Sequence, residues 1–71
     1  MTDGEAKILA RLRRLKAQGR LPEMTVGDAA VTLGGDEDTA RKVITGLVRA
    51  GALHRADMRH STLPCIYRLA E

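Results

Sequence analysis

The chain has no tryptophan and no phenylalanine, and Tyr67 is its only aromatic residue. Stacking of single-stranded bases needs aromatic platforms, so that mode of nucleic-acid binding is disfavoured. The interior has to be built from Leu, Val, Ile, Ala and Met. Cys65 is the only cysteine, which excludes an intrachain disulfide and fits a reducing cytoplasm. No apolar run approaches the ~20 residues of a membrane span, and the N-terminal stretch lacks the apolar core of a signal peptide. A soluble, cytoplasmic protein is expected. The 71 residues contain no repeat, linker or low-complexity tract, so residues 1–71 are expected to form one domain. A chain this short buries only roughly 60% of its unfolded surface. It can hold one small core and is a poor scaffold for a large enzyme or a cofactor pocket.

Positive charge is present and is unevenly laid out. The formal net charge is +3 and the isoelectric point about 9.6. Residues 7–20 hold Lys7, Arg11, Arg13, Arg14, Lys16 and Arg20 without an acid, whereas residues 23–38 hold Glu23, Asp28, Asp36, Glu37 and Asp38 without a base. In residues 41–68, Asp57 is the one acid among Arg41, Lys42, Arg49, Arg55, Arg59 and Arg68. Two basic blocks around an acidic middle suggest a polyanionic partner. Ordinary solvated helix faces would give the same layout.

The hydrophobic spacing predicts three helices. Thr2 and Glu5 are spaced as a capping box, followed by Ile8, Leu9, Leu12 and Leu15 on one stripe, which predicts a helix over about 4–18. Gly19 suits its end and Pro22 blocks continuation. The first helix is basic and amphipathic, but its apolar stripe is narrow and lacks aromatic anchors, so core packing is preferred to a membrane surface. Arg13 and Arg14 could touch a DNA backbone or a dimer partner. Leu21 to Met24 is an extended link that could add an edge strand. Thr25 and Asp28 suit the start of a second helix over about 26–33, with Val26, Ala29, Ala30 and Leu33 facing inward. Gly34-Gly35 makes the turn, and Asp36 suits the cap of a third helix over about 37–50. Ala40, Val43, Ile44, Leu47 and Val48 are expected to be its buried face. Gly51 ends it. Strands are expected over about 52–56 and 65–69, with residues 56–64 as the connecting loop and Pro64 at the strand entry.

On the third helix Arg41, Thr45 and Arg49 are spaced i, i+4 and i+8, with Lys42 beside them, opposite the apolar stripe. Arginine can donate two hydrogen bonds to guanine, and threonine can touch the thymine methyl or a phosphate. A solvated helix face is the plain alternative. Arg55, Arg59, His60 and Ser61 could contact phosphates, which give affinity without sequence information. Asp36, Glu37 and Asp38 oppose this reading, because carboxylates are unfavourable near phosphates. They could cap the helix, accept from cytosine N4, or mark a protein-docking surface.

No chemistry of another class emerges. His54, Asp57, His60 and Cys65 lack paired metal-ligand spacing, so no metal or other cofactor is expected. Ser61 and His60 are chain neighbours without an orienting acid, and no glycine-rich phosphate motif is present, so the chain is not expected to be an enzyme. Cys65 is expected to pack as a small apolar residue.

The segment TARKVITGLVRAGALHR (39–55) followed by CIYRL (65–69) resembles winged helix-turn-helix domains. Leu47, Gly51 and Leu53 match the pattern that closes the recognition helix and opens the wing. The resemblance runs from about Glu5 to Leu69 and implies an α+β fold of three helices plus a C-terminal two- or three-stranded hairpin wing. It also implies binding of double-stranded DNA by Arg41, Lys42, Thr45 and Arg49 in the major groove, with Arg55, Arg59 and His60 on the backbone or minor groove. A small bacterial or phage transcriptional regulator would fit, acting as a monomer or a homodimer. Some winged helices serve only as protein-interaction modules within larger assemblies, and that alternative stays open. Pro64-Cys65-Ile66-Tyr67 is similar to the Pro-Pro-x-Trp wing of Z-alpha domains. Arg41 and Thr45 replace the Asn and Tyr of that family, so the likeness implies architecture and not specificity.

Overall fold

The computed structural model describes residues 2–56 and 65–70. The elements run α1 (Asp3–Ala17), β1 (Glu23–Thr25), α2 (Val26–Leu33), α3 (Glu37–Arg49), β2 (Leu53–Arg55) and β3 (Ile66–Leu69). Each helix starts on a side chain that occupies an otherwise unpaired backbone N–H. Thr2 Oγ1 accepts from the Glu5 N–H at 3.2 Å, and the Glu5 carboxylate accepts from the Thr2 N–H at 3.4 Å. Thr25 and Asp28 repeat the reciprocal pair at α2, at 3.2 and 3.1 Å. At α3 the Asp36 carboxylate accepts from the Thr39 N–H at 2.8 Å.

Thr25 is both the last residue of β1 and the cap of α2, so strand and helix meet without a loop. The link after α1 does form an edge strand, three residues long. The sheet is antiparallel, with β3 between β1 and β2. Met24 lies opposite Tyr67, and Leu53 opposite Leu69. Glu23 lies opposite Arg68, whose Nη2 and Nε donate to Glu23 Oε2 at 2.9 and 3.2 Å.

The core is aliphatic, as the missing aromatics require. Ile8, Leu9 and Leu12 of α1 meet Ala29 and Ala30 of α2 and Ala40, Ile44 and Leu47 of α3, over Met24, Leu53 and Leu69 of the sheet. Alanines on α2 and α3 leave room for the helices to approach closely. Among the described residues no polar or charged side chain is buried. Val48 departs from the expected buried face of α3: it is 37% exposed. At roughly 100° per residue, Ala40, Ile44 and Leu47 centre the stripe, and Val48 falls about 80° around from Ala40. Val43, on the other flank, packs against the core. No helix among the described residues is long and apolar enough to cross a membrane.

The turn between α2 and α3 separates its two glycines. Gly34 caps α2 in the left-handed region, at φ 69°, whereas Gly35 does not have a positive φ. A methyl group added at either would meet no atom within 4 Å, so conformation and not space distinguishes them. Gly34→Ala is expected to destabilise the fold by about 1–2 kcal/mol. Gly35→Ala is expected to be neutral or to stabilise by up to ~1 kcal/mol, by restricting the unfolded chain. Urea denaturation of the two variants checks this; equal losses would contradict it.

Candidate nucleic-acid interface

Burial of Ala40, Ile44 and Leu47 fixes the rotation of α3 and turns Arg41, Lys42, Thr45 and Arg49 to solvent. The stripe expected from spacing is therefore exposed in full. Thr45 sits between Arg41 and Arg49, one helical turn from each. Glycine at position 46 keeps the flank of the stripe low, and the Glu5 carboxylate approaches it from α1.

The three carboxylates at the start of α3 have different partners. Asp36 is committed to the cap. Its bond from the Thr39 backbone N–H, then that from the Thr39 hydroxyl, holds its pKa below the usual aspartate value, and nearby Lys42 adds to this. Asp38 lies 3.3 Å from Arg41 Nη1, with 86% of its side chain exposed, so the pair is solvated and readily exchanged. Glu37 lines a cavity of about 360 Å³ together with Thr25, Val26, Gly27, Arg41, Cys65 and Tyr67. Arg41 thus belongs both to the exposed stripe and to a groove leading to β3. Cys65, just before β3, is half-buried at this groove, and Tyr67 of β3 packs against the core.

Arg55 is exposed and pairs with Tyr67 in the β2–β3 register. The ladder extends one bond further, from the Ala56 N–H to the Ile66 carbonyl at 2.7 Å. Arg59 and His60 lie outside the described residues, as do Asp57, Ser61 and Pro64. His54 is exposed on β2 opposite Arg68. Among the described residues no group of three or more His, Cys, Asp or Glu side chains converges.

Asp38 and Arg41 stand at an i, i+3 spacing of opposite charges, a local signal of such a pair. Two other ionic or polar links, Glu23–Arg68 and Arg11 with Thr32, join residues far apart in the chain and left no local signal.

The depressed pKa of Asp36 has a consequence for acid stability. Its contribution is present above the unfolded-state aspartate pKa and is lost as pH falls through the lower folded value. The affected window is below about pH 4. Asp36→Asn keeps a good capping side chain without a titrating group. Its stability is expected to decline less steeply below that pH than that of the parent, as read by circular dichroism. Parallel acid profiles would refute the assignment.

Three helices, the second and third joined by a Gly-Gly turn, with an antiparallel sheet of β1, β3 and β2, define the winged helix-turn-helix fold. No protein-family model matches the chain, and no curated protein matches it significantly. Among solved structures it is similar to the crystal structure of the adhesin competence repressor AdcR from Streptococcus pyogenes, with a TM-score of 0.76 at 21% identity. The likeness covers 100% of this chain and 48% of the other, so the chain spans about half the length of that protein. At this identity the likeness establishes the fold.

Proposed function

We propose that this protein binds double-stranded DNA and regulates transcription, in the cytoplasm of a bacterium or in a bacterial host of a phage. The carrying observation is the stripe of Arg41, Lys42, Thr45 and Arg49, held outward by the buried opposite face of α3. In helix-turn-helix proteins the second helix of the motif lies in the major groove. Here Arg41 and Arg49 read base edges, Thr45 touches a base or phosphate, and Lys42 contacts phosphate. Arg55, Arg59 and His60 contact the backbone or minor groove from β2 and the segment that follows. The fold shared with a protein named as a repressor supports this reading.

The acidic helix start is compatible with it in a specific way. Asp36 is occupied by the cap, and the exposed Asp38 gives up Arg41 at a cost of a few tenths of a kcal/mol. The competing reading, docking to a protein partner, draws on the same carboxylates.

The test is duplex binding by fluorescence anisotropy across salt. With about five phosphates neutralised, affinity is expected to fall roughly 10²–10³-fold between 50 and 200 mM salt. The stoichiometry on a palindromic duplex distinguishes one bound copy from two. No retention of any duplex at low salt would sink the proposal and favour the protein-docking module.

A further inference from the structure

We propose that the groove between α1 and α2 is a phosphate-binding site, separate from the α3 stripe and not dependent on the DNA-reading role of that helix. It is an open depression of about 300 Å³ lined by Lys7, Ala10, Arg11, Arg14 and Thr32. None of these residues comes from α3 or the sheet. Lys7, Arg11 and Arg14 are spaced i, i+4 and i+7, which stacks three cations along one face of α1. Ala10 lies among them and leaves the floor open.

Arg11 gives the groove a fixed element. It is half-buried, and its Nη1 donates to the Asp28 carbonyl at 3.1 Å and to the Thr32 hydroxyl. That hydroxyl donates in turn to the same carbonyl at 2.9 Å. Both acceptors of Arg11 are neutral. The Asp28 carboxylate is turned away, to the Thr25 N–H at 3.1 Å in the α2 cap. Arg41 and Arg68, by contrast, each face a carboxylate. The Arg11 guanidinium is therefore anchored without its charge being cancelled, and its planar fork has further N–H donors on Nε and Nη2. Lys7 and Arg14 flank it as exposed, movable cations.

Three positive groups around one small, acid-free groove match a group that carries about two negative charges on several acceptor oxygens. A phosphoryl group has that chemistry, and arginine forks suit its geometry. A single carboxylate would answer only one of the three cations. The charge can come from a small phosphorylated molecule, whose monoester carries it on one group, or from a nucleic-acid backbone, whose adjacent diesters carry one charge each.

The test is an amide NMR titration of the whole chain with inorganic phosphate, with chloride adjusted to hold ionic strength constant. Saturable shifts are expected at Lys7, Arg11, Arg14 and Thr32. Lys7→Gln with Arg14→Gln is expected to weaken them about tenfold, as for two exposed charge contacts. Both side chains are exposed, and circular dichroism checks that the double variant folds. Arg41→Ala with Arg49→Ala is expected to leave the phosphate titration unchanged, which separates this site from the α3 reading. Shifts reproduced by chloride alone, or a double variant that titrates like the parent, would overturn the proposal. Adding a short duplex to the Arg41→Ala, Arg49→Ala chain distinguishes the source. Shifts at the same amides assign the nucleic-acid backbone, and shifts with inorganic phosphate only assign a small phosphorylated ligand.

Discussion

Ile44→Ala is expected to remove about 2–5 kcal/mol of folding stability. Ile44 is 1% exposed, at the centre of the α3 stripe that meets α1, α2 and the sheet. A chain of 71 residues has a total stability of roughly 4–10 kcal/mol, so one truncation takes a fifth or more of it. The core side chains that would have to collapse into the void are Leu, Ile and Met24 tied to separate elements, along with alanines too short to reach. No tryptophan or phenylalanine stands nearby to swing in. Urea unfolding followed by circular dichroism is expected to show a lower midpoint at an unchanged slope. A loss below about 1 kcal/mol would mean that α3 is not seated as described.

The second large effect concerns recognition. Arg41→Ala combined with Arg49→Ala is expected to erase most discrimination between a selected duplex and a random one. Each bidentate arginine–guanine contact is worth about 1–3 kcal/mol, so the pair corresponds to a preference of roughly 30-fold to 10⁴-fold. Alanine is a strong helix former, and both positions are exposed, so the fold is expected to survive. Arg49 is in the last turn, where its charge favours the helix end, and its loss costs at most about 1 kcal/mol of stability. Competition binding at fixed salt, after selection of a preferred duplex from a random pool, gives the measurement. Arg55→Ala is the control: it is expected to weaken all duplexes alike. Unchanged preference in the double variant would remove α3 as the reading element.

The helices were legible because their instructions are local. Thr2 with Glu5, Thr25 with Asp28 and Asp36 with Thr39 each act over three residues, and the apolar stripe repeats every turn. The exposed cations of α3 followed from the same periodicity, since whatever lies opposite Ala40, Ile44 and Leu47 must face water. The sheet was less legible. Glu23–Thr25 is short and mixed in character, and its partner strand lies more than 40 residues later, at Ile66–Leu69. Val48 stands at the edge of the stripe, where apolar character no longer implies burial. The phosphate-binding groove had a visible half, the basic face of α1. Its other half, the Asp28 carbonyl and Thr32, is brought there only by helix packing.

The placement of β3 between its two neighbours bears on how the molecule folds. During refolding, all three helices can wind on local contacts before residues 66–69 pair with β1 and β2. Until they do, Met24 and Leu53 have no strand to pair with, and the underside of the helical layer stays wet. Closure of the sheet, with its long-separated pairings, is thus the late and slow event in folding. A chain cut just short of Ile66 would leave that underside exposed to chaperones and proteases.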